Sequence, residues 1–477
     1  MRKIKNLLIA ALLISSTAIF AQTKLTGKVV DESNQPLPGA SLIVKGTKIG
    51  ASTDFDGNFS LETSVSNGTL QVSFIGYGAK DISFKGNANL GTISLEPSSE
   101  SLSEIVITQV SFAIDRKTPV AVSTISASVI ENKLGAQEFP EILKSTPGIY
   151  ATKQGGGYGD SRVNLRGFES ANIAVMVNGV PVNDMEWGGV YWSNWAGLGD
   201  VTRSMQVQRG LGASKVAAPS LGGSINIVTR STDAKEGGAI SYGVQNDGYS
   251  KASFSYSTGL TEKGWAISLL GSKTTGDGYI QGTEFKAASY FVNISKKIND
   301  SHELSFTAFG APQWHNQRNN ADKLLISEWQ KQPLKYRYNA SYGFDMNGQR
   351  KTSSYNVYHK PQMSLNHLWT INEKSNLYTV LYASIGDGSG TSGQGLTSDD
   401  RTKWYGTTKG VPNSIFRAPD GTFDYGAIYE LNQASDKGSK MVMSKSVNQH
   451  KWFGAISTYT SKIGENIDFF TGVDLRY

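Results

Sequence analysis

The 477 residues contain no cysteine. Disulfides, thiolate chemistry and a lipid-modified cysteine anchor are therefore excluded. Histidine is scarce, at five residues, so neither a structural zinc site nor another cofactor is expected. Charged residues make up 18%, and the net charge of +6 comes without a basic block; nothing points to nucleic acid. Long apolar runs are missing beyond the first segment. No later stretch reaches about eighteen consecutive apolar residues, which excludes a helical membrane span there. A membrane protein of this composition must cross with strands. What is plentiful is glycine, at 52 residues, and aromatics, at 10%, a mix that suits a mainly β chain with many turns.

Residues 1–21 read as a secretory signal peptide. Met1-Arg-Lys-Ile-Lys5 is a basic head, Leu7 to Phe20 is apolar, and cleavage is expected near Ala21. Residues 22–97 then show short strand patterns at sandwich spacing. These are Leu25–Val30, Ala40–Lys45, Leu70–Ile75 and Leu90–Leu95, with turns at Pro36–Gly39 and Asp54–Phe59. Residues 98–112 form a polar linker that carries one β-prone run, Glu104-Ile105-Val106-Ile107-Thr108. Such a run can add to another protein's sheet edge. It can equally be a last strand of the preceding sandwich.

Residues 113–232 organise the rest. Thr118–Ile125 is strand-like, and Pro140–Gly148 is a short helix stopped by Pro147 and Gly148. Gly155–Gly159 lacks a following Lys-Ser/Thr pair and reads as a mobile turn, not a nucleotide loop. Four elements follow: Asn164-Leu-Arg166-Gly167-Phe168, Ile173-Ala-Val-Met-Val-Asn178-Gly179-Val-Pro181, Met205-Gln-Val-Gln-Arg209-Gly210, and Leu221-Gly222-Gly223-Ser-Ile225-Asn226-Ile-Val-Thr229. Asn178-Gly179 is the strongest hairpin signal, since a type I′ turn needs positive φ at both centres. The loop Asn183–Gly199 packs Trp187, Tyr191, Trp192 and Trp195 beside Asp184 and Glu186. These six residues are candidates to face a ligand; packing against a neighbouring wall is the alternative.

Residues 233–477 change to period-2 alternation. Nine strand candidates are legible: Ala239–Val244, Lys251–Thr258, Gly264–Lys273, Ala287–Lys297, Glu303–Phe309, Met363–Ile371, Leu377–Ile385, Trp452–Thr460 and Ile467–Tyr477. In the last, Phe469, Val473 and Leu475 share one face, while Asp468, Asp474 and Arg476 share the other. Short connections alternate with long ones, at Thr274–Phe285, Ala311–Pro361 and Gly386–Lys451. This is the pattern of a transmembrane barrel with its long loops outside. Trp265, Trp369 and Trp452 stand at strand ends, as an interfacial girdle requires.

The series Gly27-x-Val29, Pro36-Leu-Pro-Gly-Ala40, Asp54-Phe-Asp-Gly-Asn-Phe59 and Phe74-Ile-Gly-Tyr77 resembles the carboxypeptidase-regulatory-like domain of Bacteroidetes outer-membrane receptors. A metallocarboxypeptidase site is not legible in it: His302 and Glu303 are adjacent, a spacing that cannot share one metal, so no enzyme is expected. The four elements from Asn164 to Thr229, in that order, resemble the plug domain of TonB-dependent receptors. The resemblance implies a small β-sandwich, then an α+β plug, then the N-terminal part of an antiparallel transmembrane barrel. It implies that Glu104–Thr108 is the TonB box, which engages a TonB-type periplasmic energy-transducing protein, and that Arg166, Arg209 and Glu138 are candidates for plug-to-wall ion pairs.

Implied partners are outer-membrane lipids and a small nutrient ligand of unknown identity, with a surface lipoprotein left open. The regulatory-like domain would lie in the periplasm. The function expected is energy-coupled uptake of a siderophore, vitamin, peptide or oligosaccharide; the alternative is a surface adhesin or glycan-binding receptor without transport. The Gly222–Thr229 ending departs from that of starch-utilisation-type glycan importers and lowers the glycan reading. Family barrels have about twenty-two strands, so nine are expected to be a fragment of a longer receptor.

Overall fold

Alternating side chains pair into sheets wherever one face can be buried, and this governs nearly the whole molecule. A computed structural model describes residues 23–96 except 33, 48, 75 and 76; 121–210 except 136, 154–157 and 160; 220–229; 236–318; 324–464 except 405; and 467–477. The signal-peptide and Glu104–Thr108 readings lie outside these residues, as does most of Gly155–Gly159. The chain divides after residue 108 into two compact units.

The first unit holds seven strands: β1 (Thr23–Val30), β2 (Ser41–Val44), β3 (Gly50–Ser52), β4 (Asn58–Thr63), β5 (Asn67–Ser73), β6 (Lys80–Lys85) and β7 (Ala88–Ser94). They form two sheets, ordered β4-β1-β7 and β3-β2-β5-β6. Leu25, Val29, Leu42, Val44, Leu61, Leu70 and Val72 close the core between them; full burial of such a side chain contributes about 1.5–3 kcal/mol. The Asp54 carboxylate accepts the Asp56 and Asn58 N–H groups at 3.0 and 2.8 Å. This turn sends Phe59 into the core and leaves Phe55 exposed.

The second unit begins with β8 (Ala121–Ser126), a helix at Ala127–Leu134 and a 3-10 helix at Phe139–Ser145. There follow β9 (Ile149–Lys153), β10 (Ser161–Leu165), β11 (Ile173–Val177), β12 (Val180–Pro181), β13 (Thr202–Arg209) and β14 (Gly223–Thr229). One sheet runs β12-β11-β14-β13-β8, and β9 pairs with β10 separately. β11 and β14 are parallel, Val175 opposite Ile225. Both are buried along their whole length, which is why β11 reads as an unbroken apolar run and not as alternation, while β14 also buries Ser224, Asn226 and Thr229.

The wall follows with β15 (Gly237–Val244), β16 (Ser250–Ser257), β17 (Trp265–Gly276), β18 (Phe285–Lys297) and β19 (His302–Gly310). A long connection then carries β20 (Gln313–Asn316), β21 (Gly343–Phe344), β22 (Arg350–Lys351) and β23 (Tyr355–His359). β24 (Gln362–Asn372) and β25 (Ser375–Gly395) resume the wall. A second long connection carries β26 (Thr407–Thr408), β27 (Val411–Pro412) and β28 (Phe423–Asp424), before β29 (Met441–Ile463) and β30 (Ile467–Arg476). The nine wall strands are antiparallel neighbours in the order β15-β16-β17-β18-β19-β24-β25-β29-β30, β20 and β23 join the same sheet beside β18 and β25, and among the described residues no pairing joins β15 to β30.

The alternation has a physical meaning. On β18, Phe285, Ala287, Ser289, Phe291, Asn293 and Ser295 are buried, while Tyr290 and Ile294 on the other face are exposed. Ile240, Tyr242, Phe254, Leu365, Trp369, Leu381, Phe453, Val473 and Leu475 continue an exposed apolar band around the sheet. A band of this size is untenable in water and suits lipid. Trp265 and Trp369 are exposed at the short-turn end, as a girdle needs. Trp452 is not: it is 5% exposed. The strand begins at Met441, so Trp452 sits mid-strand on the inner face.

Candidate functional site

The plug is held by turns and cross-bonds built from its motif residues. Asn178 (φ 51°) and Gly179 (φ 80°) make the expected type I′ turn. The Asn178 side chain donates to Thr229 Oγ1 at 2.9 Å, and its Oδ1 accepts from the Thr229 N–H at 2.9 Å. Two motifs fifty residues apart are thus one bonded unit. Arg166 (φ 52°) and Gly167 (φ 85°) make a second turn of this kind, closed by Leu165 and Phe168 bonding each other at 3.0 Å. Gly223 (φ 132°) could not carry a side chain, because a Cβ would strike Leu165 and the Gly210 nitrogen. Gly210 and Gly222 bond each other at 2.9 Å, and Ile225 and Asn226 are fully buried beside them.

Among the described residues Arg209 makes no plug-to-wall ion pair. Its guanidinium donates to the carbonyls of Ala121, Val122 and Pro147 at 3.3–3.4 Å, pinning edge strand β8 to the plug. The Arg166 guanidinium lies beside Gly210, also within the plug. Glu138 does face the wall, where its charge and that of Asp200 act with burial to raise the Tyr249 hydroxyl. One ion pair that joins plug to wall carries no sequence signal. Asp200 takes both oxygens to the Lys251 ammonium of β16, at 2.8 and 2.7 Å, with each side chain about one-fifth exposed. A lone Asp after a glycine carries no signal of this in sequence.

The aromatic loop divides. Trp192 and Trp195 are 3% and 2% exposed, so they are core, not ligand-facing. Trp195 stacks on Phe309 of the wall at 6.0 Å, and Trp192 meets Phe139 at 6.1 Å. Trp187 and Tyr191 remain exposed, their rings 5.2 Å apart, with Glu186 exposed beside them. Asp184 spends one oxygen on the loop itself, accepting the Glu186 and Trp187 N–H groups at 3.0 and 3.1 Å. Further contacts seat the plug in the wall: Tyr158 stacks on Phe285 at 4.1 Å, and Val180 is sealed by Val380, Tyr382 and Trp452.

At the far end of the wall, the two long connections are stitched together. β21 pairs with β22 and, in parallel, with β28. The Phe423 N–H donates to the Tyr342 carbonyl at 2.8 Å, and the Leu325 N–H to that of Gly410 at 2.9 Å. Trp404, Phe423, Tyr425, Ile428 and Met441 give this cap its own core. A cavity of about 1020 Å³ lies against it, lined among others by Trp314, Met346, Tyr355, Tyr429 and Met443. Among the described residues no group of three or more His, Asp or Glu side chains could hold a metal ion.

Comparison with known proteins follows the same division. Residues 25–107 match the CarboxypepD_reg-like domain, and residues 115–224 match the TonB-dependent receptor plug domain. The chain thus carries the plug domain of TonB-dependent receptors behind a CarboxypepD_reg-like domain. It is 29% identical over 171 residues to the TonB-dependent receptor P39 of Formosa agariphila, covering 35% of this chain and 16% of that protein. To the vitamin B12 transporter BtuB of Vibrio vulnificus it is 26% identical over 219 residues, covering 44% and 35%. To the TonB-dependent receptor SusC of Bacteroides thetaiotaomicron it is 27% identical over 191 residues, covering 39% and 18%. The matched stretches thus span about a third or less of these relatives' lengths.

The chain's fold is similar to that of the unliganded ferric citrate transporter FecA, with a TM-score of 0.51 at 14% identity over 75% of this chain and 47% of that one. The first family match reaches residue 107 and so takes in most of Glu104–Thr108.

Proposed function

We propose that this receptor takes up a scarce nutrient across the outer membrane of a Gram-negative cell, with energy delivered through Glu104–Thr108 by a TonB-type periplasmic protein. The observation that carries this reading is the seam between plug and wall. The plug packs against the polar inner face of a sheet whose outer face is apolar, and it is held by a few discrete contacts: Asp200 with Lys251, Trp195 on Phe309, Tyr158 on Phe285. Partner segments of this kind can separate without unfolding the sheet that holds them. The outer cap and its cavity face the cell exterior and receive the ligand, which the exposed Trp187, Tyr191 and Glu186 then meet at the plug.

No covalent chemistry enters this account. The proton gradient of the inner membrane supplies the work, and residues 22–97 stay in the periplasm as a binding module. Deleting residues 104–108 tests the reading in cells that carry the receptor. Energy-dependent uptake should be lost while surface binding of the nutrient is kept. An adhesin or glycan-binding receptor without transport would show binding and no uptake to lose in either form.

A further inference from the structure

The inner wall beside the plug carries a patch whose hydrogen-bonding groups are not used by the protein. Gln362, Ser384 and Trp452 are register partners across β24, β25 and β29. Gln362 Oε1, Ser384 Oγ, Trp452 Nε1, Tyr382 OH and His450 Nε2 are all buried without a hydrogen-bond partner. The Trp452 indole N–H leans toward the Tyr382 hydroxyl without reaching bonding geometry. Each such group left unsatisfied costs about 1–3 kcal/mol, and native proteins satisfy nearly all of them with protein, water or ligand.

Lys360, in the link between β23 and β24, adds a charge. It is 7% exposed, and its ammonium lies over the Trp452 ring, 5.6 Å from the centroid. Among the described residues it has no ion-pair partner within 4.0 Å. Burial pushes this ammonium's pKa down, and the Asp184 carboxylate of the plug opposes that from a longer distance. A buried cation with no counter-charge in contact is costly. Lys360, Trp452, Tyr382 and Ser384 all offer N–H or O–H groups, and the Gln362 amide can present its nitrogen as readily as its oxygen. The nearby carboxylates are otherwise engaged: Asp474 pairs with Arg476, and Asp387 accepts from Gln449 at 2.7 Å. The remaining chemistry is donor-rich and cationic.

We propose that Lys360, Trp452, Tyr382, Ser384 and His450 form a site for an oxyanion, a carboxylate or phosphate group, in the seam between plug and wall. The group can arrive as a free anion or as an acidic part of the cargo. The charge-assisted bonds to Lys360 and the indole N–H supply the affinity, and Asp184 weakens it.

The test uses the receptor in detergent, with inorganic phosphate and acetate as probes and chloride as the control. Binding is read by isothermal calorimetry. Phosphate or acetate should bind, and Lys360→Met should weaken it by at least about tenfold, the loss of one charge-assisted bond. Lys360→Arg should keep most of the affinity, which separates loss of the site from loss of the fold. Asp184→Asn should strengthen binding, a gain that no damaged plug would give. If the cargo is the source, phosphate will compete with nutrient binding; if a free anion is the source, the two will bind together. Oxyanion binding that Lys360→Met leaves unchanged would overturn the proposal, as would no oxyanion binding at all, which would mean that the patch holds water only.

Discussion

Trp187 and Trp195 stand in one loop, yet they answer to different surroundings. Trp195 is buried and stacked on the wall, while Trp187 is 44% exposed and pairs its ring with Tyr191 of the same loop. The same residue type serves as an anchor at one end of the loop and as an open surface at the other. The division falls where the chain turns from the apex of the plug toward its core, after Tyr191. Aromatic density alone therefore says nothing about ligand contact until a partner surface is known.

The contrast predicts a wide spread of effects. Trp195→Ala should cost about 3–5 kcal/mol, the range for emptying a packed aromatic site. Hydrogen exchange of the Ile173–Val177 amides in the intact receptor would read this as faster opening of the plug. Unchanged protection would mean that the stack on Phe309 carries no load.

Much of the wall is legible in the sequence, because an exposed apolar face on one side and the plug on the other enforce strict alternation. Each of the nine expected strands overlaps an observed one, though β25 and β29 run ten or more residues further than expected, and the I′ turn at Asn178-Gly179 is found as its dipeptide signals. What could not be read is where a strand goes on after the apolar face stops. Gly386-Asp-Gly-Ser-Gly-Thr-Ser-Gly393 looks like a loop, yet it is the upper part of β25 and pairs residue by residue with β29. The glycines there leave room for rings: Tyr358 lies over Gly388. The same error put Trp452 at a strand end and so in the girdle. The Asp200–Lys251 pair was hidden for another reason, since two residues far apart in sequence meet only once the plug is seated.

Asp200→Asn sharpens the comparison from the electrostatic side. It leaves Lys251 without its counter-charge in a site about one-fifth exposed, and a loss of about 1–3 kcal/mol is expected. A double-mutant cycle with Lys251→Met would measure the coupling; additive single effects would deny the pair any role in holding the plug. Asn178→Ala should cost about 1–2 kcal/mol, from the left-handed backbone and the lost bonds to Thr229. Asn178→Gly restores the backbone freedom, so its residual loss in a thermal melt would isolate those bonds.

The smallest effect belongs to Trp187→Ala. Stability should stay within about 0.5 kcal/mol, while ligand affinity falls. A melt displaced as far as that of Trp195→Ala would erase the division of the loop.

The paired strands β25 and β29 run on beyond the apolar face of β25. The last apolar residue exposed on the outer face of β25 is Ile385, and the strand runs on to Gly395. At about 3.3 Å per residue, that upper part adds roughly 30 Å of height. It works as a mast, carrying the folded cap well clear of the wall's exposed apolar face.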